Sequence, residues 1–249
     1  MQNQTKRTKT TTTGIILLCV LFLALLVGFI FQDPSSQQSA KAVESEPAAS
    51  QASSADKKTV DKSAWYLMLV SAEHPMPSDY LPELEKIDQN GHAFDKRAAN
   101  ALKKMLSDAK AAGLSPIVCS SYRSVEKQTS LFQDEVAKQK SKGMNEAQAQ
   151  KTAATVVAYP GTSEHNLGLA ADIVSLDYQI LDEAQKNTPE AKWLKENCSK
   201  YGFIVRYPDG KSDKTGVIFE PWHYRYVGEE AAKEIMQRGL CLEEYLDQH

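Results

Sequence analysis

An uncharged apolar run near the N-terminus constrains this chain more than any other feature. Residues 14–31 read GIILLCVLFLALLVGFIF, without one charged side chain. A helix of 18 residues would extend roughly 27 Å, close to the ~30 Å hydrocarbon core of a bilayer. Basic residues precede the run at positions 6, 7 and 9, and none follows until Lys41. The positive-inside rule therefore predicts a cytoplasmic tail at 1–13, a transmembrane anchor at 14–31 and export of the rest of the chain.

Three other interpretations of this run stay open. A cleaved signal peptide would have an unusually long apolar region, and the nearest small-x-small site, at residues 40–42, lies well beyond the run. A lipoprotein signal requires a cysteine at the end of the run, whereas Cys19 lies inside it. A buried helix of a soluble core normally carries a polar face, which this run lacks. We expect a single-pass protein of the cell membrane with its folded domain outside.

The segment that follows the run is predicted to be a flexible stalk. Residues 32–62 are rich in Ser, Ala, Gln, Lys and Glu, and they contain almost no large apolar side chain. Such a segment cannot bury enough apolar surface to offset the entropy lost on ordering. The folded domain is therefore expected at residues 63–249, a length sufficient for a real core.

Composition excludes several classes of function. The 249 residues are 42% apolar and 24% charged, with a mean hydropathy of -0.44, which is typical of a globular protein rather than a collagen or a disordered chain. The formal charge of -3 gives no basic excess for binding nucleic acid. Outside the apolar run, Cys119, Cys198 and Cys241 have no metal-binding spacing, and we expect small buried side chains, although two of them could form a disulfide. The domain is expected to be monomeric.

Local patterns predict an α+β domain, in which a small antiparallel sheet is surrounded by helices. Apolar residues recur every three or four positions from Phe94 to Ala109 and indicate one face of a helix that ends at Gly113. Further helices are predicted at 125–142, 145–157, 189–201 and 229–245. Strands are predicted at 65–70, 116–120, 169–174, 203–206, 217–219 and 224–227. Helices and strands do not alternate regularly, which favours α+β over a parallel α/β sheet.

The first chemically distinctive segment is PGTSEHNLGLAADI, at residues 160–173. It contains Ser163, His165, Gly168 and Asp172 in the pattern S-x-H-x-x-G-x-x-x-D. Asp172 lies in an apolar, strand-like stretch, where a carboxylate is unfavourable unless it is paired or binds a metal. One imidazole and one carboxylate suit Zn²⁺, and a catalytic zinc needs a third protein ligand.

The second segment, FEPWHYRYV at residues 219–227, supplies that ligand and a base. His223 is the expected third ligand. Glu220 lies three residues earlier, so in a straight strand the two side chains would point to opposite faces. Pro221 cannot donate a hydrogen bond to a neighbouring strand, and a bend there would bring Glu220 and His223 into one cavity. Glu220 would then be the catalytic base. The other histidines, at positions 74, 92 and 249, are expected at the surface.

Together with SSYRS at residues 120–124, these motifs resemble the zinc carboxypeptidases of the D-alanyl-D-alanine carboxypeptidase (VanY) family, which includes cell-wall L,D-carboxypeptidases. The resemblance extends from about Trp65 to the C-terminus. It implies a Zn²⁺ cofactor held by His165, Asp172 and His223, with Glu220 as the base. It implies a substrate-binding role for Arg123, whose planar guanidinium can hold a carboxylate or polarise a carbonyl.

The same resemblance suggests Ser163 and Gln128 as further substrate contacts, and Arg206 and Trp222 as wall residues. The implied substrates are peptidoglycan stem peptides that end in D-Ala. An L,D activity, tetrapeptide to tripeptide, is expected ahead of a D,D activity, pentapeptide to tetrapeptide. Two alternatives stay open: a module that binds stem peptides without cutting them, and a dipeptidase or endopeptidase that uses the same zinc site.

Overall fold

The computed structural model of the chain describes residues 60–249. The predicted tail and anchor, and almost all of the predicted stalk, lie outside the described residues. Within residues 60–249, no helix is both long enough and apolar enough to cross a membrane. The α+β class predicted for the folded domain is confirmed, because small antiparallel sheets pack against helices.

A four-stranded antiparallel sheet forms the centre of the described region. Its strands are β3 (Pro116–Ser120), β4 (Ala170–Ser175), β5 (Phe203–Val205) and β6 (His223–Tyr226), in the spatial order β3-β4-β6-β5. Every residue of β4 is buried. A separate hairpin pairs β1 (Leu84–Lys86) with β2 (Ala93–Asp95). The central position of β4 and β6 places their side chains where two neighbouring strands and the surrounding loops converge.

Seven α-helices surround the sheet in the described region. They are α1 (Lys96–Ala111), α2 (Val125–Ser141), α3 (Glu146–Ala153), α4 (Pro189–Asn197), α5 (Ser212–Thr215), α6 (Glu229–Arg238) and α7 (Leu242–Gln248). Short 3-10 helices cover Trp65–Leu67, Glu164–Leu167, Glu183–Asn187 and Cys198–Tyr201.

The helix ends follow from local chemistry. The side chain of Asp95 accepts a hydrogen bond from the Arg97 amide at the start of α1, and Ser124 does the same for the Lys127 amide at the start of α2. Asn145 and Gln148 form a reciprocal capping box on α3. These side chains satisfy amides that have no partner inside the first turn of a helix.

Within residues 60–249, three apolar clusters hold the elements together. The largest joins α1 to the sheet through residues such as Phe94, Leu102, Met105, Ile173 and Tyr224, all of them buried. The second packs α6 and α7 against β5 around Ile204, Ile235 and Leu242. The third lies between α2 and α3 and is built on Phe132 and Ala149.

Several predicted elements differ in the structure. Residues 65–70 were predicted to be a strand, but they begin with a 3-10 helix because Trp65, Tyr66 and Leu67 pack into two cores instead of pairing with a strand. Residues 217–219 do not form a strand. The helix predicted at 229–245 is two helices, since Gly239 adopts a left-handed conformation with a φ of 65°. Cys198 and Cys241 are buried as expected, Cys119 is exposed, and all three thiols are free.

Candidate active site

The site begins with a cross-strand pair. Asp172 on β4 and His223 on β6 are direct partners in the antiparallel register. His165 reaches them from the 3-10 helix Glu164–Leu167, which ends at Gly168 in a left-handed conformation and leads straight into β4. The six residues between His165 and Asp172 therefore form the rest of one helical turn, one glycine reversal and the first residues of a strand.

The side chains of His165, Asp172 and His223 form a buried cluster with one ligand atom each, all within 4.8 Å of one another. Nε2 of His165 lies 3.3 Å from Oδ2 of Asp172, and Nδ1 of His223 lies 3.2 Å from Oδ1. Two ligands of a tetrahedral Zn²⁺ ion with bonds of about 2.0–2.1 Å are roughly 3.3 Å apart. Oδ1 of Asp172 is buried and has no hydrogen-bond partner among the described residues. The donor set, spacing and unpartnered oxygen all fit zinc.

The second nitrogen of each imidazole ring faces an oxygen atom of the protein. Nδ1 of His165 lies 2.7 Å from the carbonyl oxygen of Ser121, to which it can donate a hydrogen bond, and this leaves Nε2 free to face Asp172. Nε2 of His223 lies 3.5 Å from Oε2 of Glu164. Partners of this kind fix the orientation of a metal-ligating histidine and the nitrogen that it presents.

Glu220 lies beside this cluster. The amide of His223 donates to the carbonyl oxygen of Glu220, so residues 220–223 form a turn immediately before β6. The bend expected at Pro221 is therefore present. It brings Oε2 of Glu220 to 3.5 Å from Nδ1 of His223, and the Glu220 side chain is buried.

Burial controls the charge states of these groups. Burial and the nearby Arg123 guanidinium lower the pKa of His165 to about 4, and burial raises the pKa of Glu220 to about 8. Burial alone would lower the pKa of His223, but the carboxylates of Asp172 and Glu164 outweigh it and raise the value to about 9. His223 thus lies in a strongly negative environment, which favours a cation there. A metal ion bound to Asp172 would supply the same positive charge.

Arg123 lies against the metal-ligand candidates. Its Nη2 donates to Oδ2 of Asp172 at 2.7 Å, and its Nε donates to the Ser120 hydroxyl at 2.7 Å. Its backbone is also fixed, since the Arg123 amide donates to the His165 carbonyl and the Asn166 side chain donates to the Arg123 carbonyl. The side chain is 19% exposed, so part of the guanidinium remains available to a ligand.

The two weaker substrate candidates lie in different places. Ser163 is at the cavity wall, directly before the 3-10 helix that carries His165. Gln128 on α2 is completely buried and lies behind Arg123, whose Nη1 is 3.4 Å from the Gln128 Oε1. The Gln128 amide also donates to the Ala158 carbonyl at 2.8 Å. From this position Gln128 holds Arg123 and the cavity-lining residue Ala158 in place, and it is better placed for that than for touching a substrate.

A cavity of about 370 Å³ opens onto the cluster. His165, Asp172, Glu220 and His223 line it, together with Arg123 and the aromatic residues Tyr207 and Trp222. The other lining residues include five with apolar side chains, Leu131, Val156, Val157, Leu181 and Val217. They also include three charged residues of α2, Asp134, Glu135 and Lys138. The cavity can therefore take a ligand that extends away from the cluster along α2.

Sequence reasoning missed the charged residues behind the cluster. Arg206 is not a wall residue, because it is completely buried and pairs with Glu164 and Glu243. Arg225 is also completely buried and pairs with Glu164. The available signal was Glu164 itself, which adjoins His165 in a stretch that proves to be fully buried.

Comparison with known proteins identifies the family. The sequence profile of VanY, D-alanyl-D-alanine carboxypeptidase, matches residues 91–229, which is more than half of the chain and includes every residue of the site. The chain belongs to the VanY family. Among curated VanY relatives, a D-alanyl-D-alanine carboxypeptidase of Enterococcus faecalis is 47% identical over 188 residues, covering 75% of this chain and 68% of that protein.

Two solved structures add chemical detail about relatives. A vancomycin resistance D,D-pentapeptidase VanY, determined in complex with Zn(II), is 47% identical, with a TM-score of 0.67, and the match covers 73% of this chain and 99% of that one. The LdcB LD-carboxypeptidase is 39% identical, with a TM-score of 0.60, and the match covers 72% of this chain and 84% of that one. Relatives of both specificities therefore share this fold.

Proposed function

We propose that this protein is a zinc-dependent carboxypeptidase that removes the C-terminal D-alanine from peptidoglycan stem peptides. The observation that carries the proposal is the buried cluster of His165, Asp172 and His223 beside Glu220, which together line an open cavity. Membership of the VanY family and the Zn(II) in a solved relative support both the reaction and the metal.

Each residue of the site has a distinct proposed role. His165, Asp172 and His223 would hold the zinc, which supplies a Lewis acid that polarises a carbonyl and lowers the pKa of water. Glu220 would take a proton from the attacking water and pass it to the leaving amine as the C–N bond breaks. Its buried position, which favours the protonated form, suits the second step. Arg123 would orient the peptide end or hold the carbonyl oxygen as negative charge develops.

The cavity accounts for selection of a peptide end. The cluster, Arg123 and residues of α2 line the same cavity, so the residue to be released would lie at the cluster and the rest of the stem would run along α2. The apolar wall, which includes Val156, Leu181 and Val217, suits the methyl groups and aliphatic chains of such a peptide. Ser163, which lines the cavity, would contact the backbone of the same peptide.

Two specificities have support among the relatives. A D,D activity, pentapeptide to tetrapeptide, is favoured by the higher identity to the D-alanyl-D-alanine carboxypeptidase of E. faecalis, 47% against 39% for LdcB. An L,D activity, tetrapeptide to tripeptide, is supported by the match to LdcB and stays the second candidate. We propose the D,D activity first, which reverses the order expected from the overall resemblance to membrane-anchored wall-trimming enzymes.

One experiment tests the function and separates its variants. The purified full-length chain is analysed for zinc and incubated with stem pentapeptide and tetrapeptide, and the products are identified by mass spectrometry. Loss of one alanine from the pentapeptide supports the D,D activity, and loss of one from the tetrapeptide supports the L,D activity. Release of intact D-Ala-D-Ala from the pentapeptide would indicate an endopeptidase, and hydrolysis of free D-Ala-D-Ala, tested as a third substrate, would indicate a dipeptidase. A zinc-loaded protein that binds both peptides and cleaves neither would be a binding module, and the proposal would be wrong.

We also propose that residues 14–31 anchor the enzyme in the cell membrane with the catalytic domain outside. The uncharged run and the basic residues before it support this orientation. Protease treatment of intact cells whose wall has been removed should release the domain from the membrane fraction. A domain that stays protected until the cells are lysed would contradict the orientation.

A further inference from the structure

Four charged side chains form a continuous network behind the cluster. Oε1 of Glu164 accepts hydrogen bonds from Nε of Arg206 at 2.6 Å and from Nη1 of Arg225 at 2.7 Å. The two terminal nitrogens of Arg206 donate to the two oxygens of Glu243, at 2.9 and 2.6 Å. The side chains of Glu164, Arg206 and Arg225 are at most 1% exposed, and that of Glu243, on α7, is 17% exposed.

The network balances its own charge. Two guanidinium groups face two carboxylates, and buried charges of this kind are tolerated only when each is paired. Both arginines bond to the same oxygen of Glu164, which leaves Oε2 directed elsewhere. That oxygen lies 3.5 Å from Nε2 of His223. Neither Oε2 nor Nε2 has a hydrogen-bond partner in the described part of the chain, so each is the nearest polar group available to the other.

The imidazole of His223 is therefore contacted on both sides. Nδ1 faces Asp172 and Glu220, at 3.2 and 3.5 Å, while Nε2 faces Glu164. A carboxylate behind a metal-ligating histidine fixes the ring and makes its other nitrogen a better donor to the metal. Glu164 can do this only while the arginines hold it in place.

We infer that Glu164 is a positioning residue for His223, and that Glu243 on the C-terminal helix sets the position of Glu164 through Arg206. The inference rests on the proposed role of His223 as a metal ligand. Arg225 has anchors of its own, because its Nη2 also donates to the carbonyl oxygens of Tyr66 and Met68. Arg206 has Glu243 as its bidentate partner, so Glu243 is the member through which the C-terminal helix controls the metal site.

The neighbouring residue supplies a matched control. Glu244 lies on the same turn of α7 and is similarly shielded, at 21% exposure, but it bonds to Lys211 and to the amide of Cys241 instead of the network. Glu243→Gln and Glu244→Gln each remove one negative charge from α7, and glutamine retains the capping interaction at position 244. The two variants differ in whether the lost charge faces Arg206.

The test compares zinc affinity in full-length proteins. The dissociation constant for Zn²⁺ is measured by chelator competition, Tm is measured without metal, and the absorption spectrum is recorded with Co²⁺. Glu243→Gln should weaken zinc binding on the order of threefold or more and change the Co²⁺ spectrum, whereas Glu244→Gln should do neither. The metal-free Tm of Glu243→Gln should also be the lower of the two, because buried Arg206 loses its bidentate partner. Equal zinc affinity in the two variants would overturn the inference. A lower metal-free Tm with unchanged affinity would also overturn it, since the network would then be merely structural.

Variants of Glu164 itself and the wild-type chain complete the experiment. Glu164→Gln should weaken zinc binding about 10-fold to 100-fold, the usual effect of losing such a partner, and Glu164→Asp should recover part of it. If Glu164→Gln does not fold, the comparison at positions 243 and 244 still decides. A wild-type chain that binds no zinc would refute the proposed function itself. A wild-type chain that binds zinc and cleaves, with identical affinities for the two α7 variants, would refute only the inference.

Discussion

Asp172 and His223 are direct partners across two antiparallel strands, and Oδ1 of the first lies 3.2 Å from Nδ1 of the second. The sheet itself therefore sets the spacing of two candidate ligands, and the third, His165, arrives through a short turn that the backbone hydrogen bonds of Arg123 hold in place. A site built on central strands is preorganised, because moving either ligand would disrupt the register of the sheet.

Removal of the metal should lower stability as well as activity. A ligand present at about 100 times its dissociation constant stabilises the folded state by about 2.7 kcal/mol, which for a domain of this size shifts Tm by about 5–10 °C. We expect a chelator to lower Tm by that amount and to abolish D-Ala release, and added Zn²⁺ to restore both. Differential scanning calorimetry and a D-Ala assay measure the two effects.

Histidine variants provide the control for this experiment. Without any chelator, His223→Ala should already have the lowered Tm of the chelator-treated wild type, and adding the chelator should not change it. His74→Ala, at an exposed position, should behave as the wild type does. A chelator response that persists in His223→Ala would place the metal elsewhere.

Glu220→Gln should separate the chemistry from metal binding. Glutamine has the same shape but cannot take a proton, and loss of a general base typically lowers kcat by about 10²–10⁴-fold. Zinc content should stay near one ion per chain. Asp134→Asn, which removes a carboxylate from another wall of the same cavity, should leave kcat nearly unchanged. Full activity in Glu220→Gln would show that another group acts as the base.

Local patterns predicted those elements whose own residues determine them. The apolar spacing from Phe94 to Ala109 predicted α1, and the β-branched residues around Val118 predicted β3, as the structure confirms. The hairpin of β1 and β2 was missed because each strand has three residues, too few to display alternation. Residues 65–70 resemble a strand in composition, yet burial of Trp65 and Leu67 in two different cores determines their conformation.

The candidate site was predictable where its residues share a motif. His165 with Asp172, and Glu220 with His223, lie a few residues apart, and the structure brings all four together. The network behind them was not predictable, since Arg206 lies 42 residues from Glu164 and Glu243 lies 37 residues from Arg206. Pairings over such separations are set by the packing of the sheet and α7, which a single sequence does not reveal.

Arg123 and Gln128 should act as one unit. Gln128→Ala removes the contact with Nη1 of Arg123 and the anchor on the Ala158 carbonyl, so KM should rise and stability should fall by about 1–3 kcal/mol. Arg123→Ala should reduce kcat/KM further, and the double variant should be no worse than Arg123→Ala, because the two effects share one mechanism.

A buried glutamine on the same helix controls for general damage to α2. Gln139 bonds to Glu135 and Lys142 and has no contact with Arg123. Gln139→Ala should therefore leave KM unchanged. Fully additive losses of kcat/KM in Arg123→Ala and Gln128→Ala would mean that Gln128 acts independently of Arg123, for example by contacting the substrate.

Gly168→Ala should damage the metal site through the backbone. Gly168 has a φ of 70°, and an added Cβ would lie 3.1 Å from the Asp95 amide nitrogen and 3.2 Å from a Leu84 methyl carbon. The left-handed conformation and the crowding together should destabilise the domain by about 1–3 kcal/mol. Relieving this crowding requires the turn between His165 and Asp172 to move, so zinc affinity should fall as well.

Gly113→Ala is the control, because Gly113 has a similar φ of 82° with nothing within 4 Å of the added Cβ. It therefore isolates the cost of the left-handed backbone conformation from the cost of crowding. We expect Gly113→Ala to lower Tm and leave zinc affinity unchanged, whereas equal zinc affinity in both variants would show that the turn at Gly168 does not position His165.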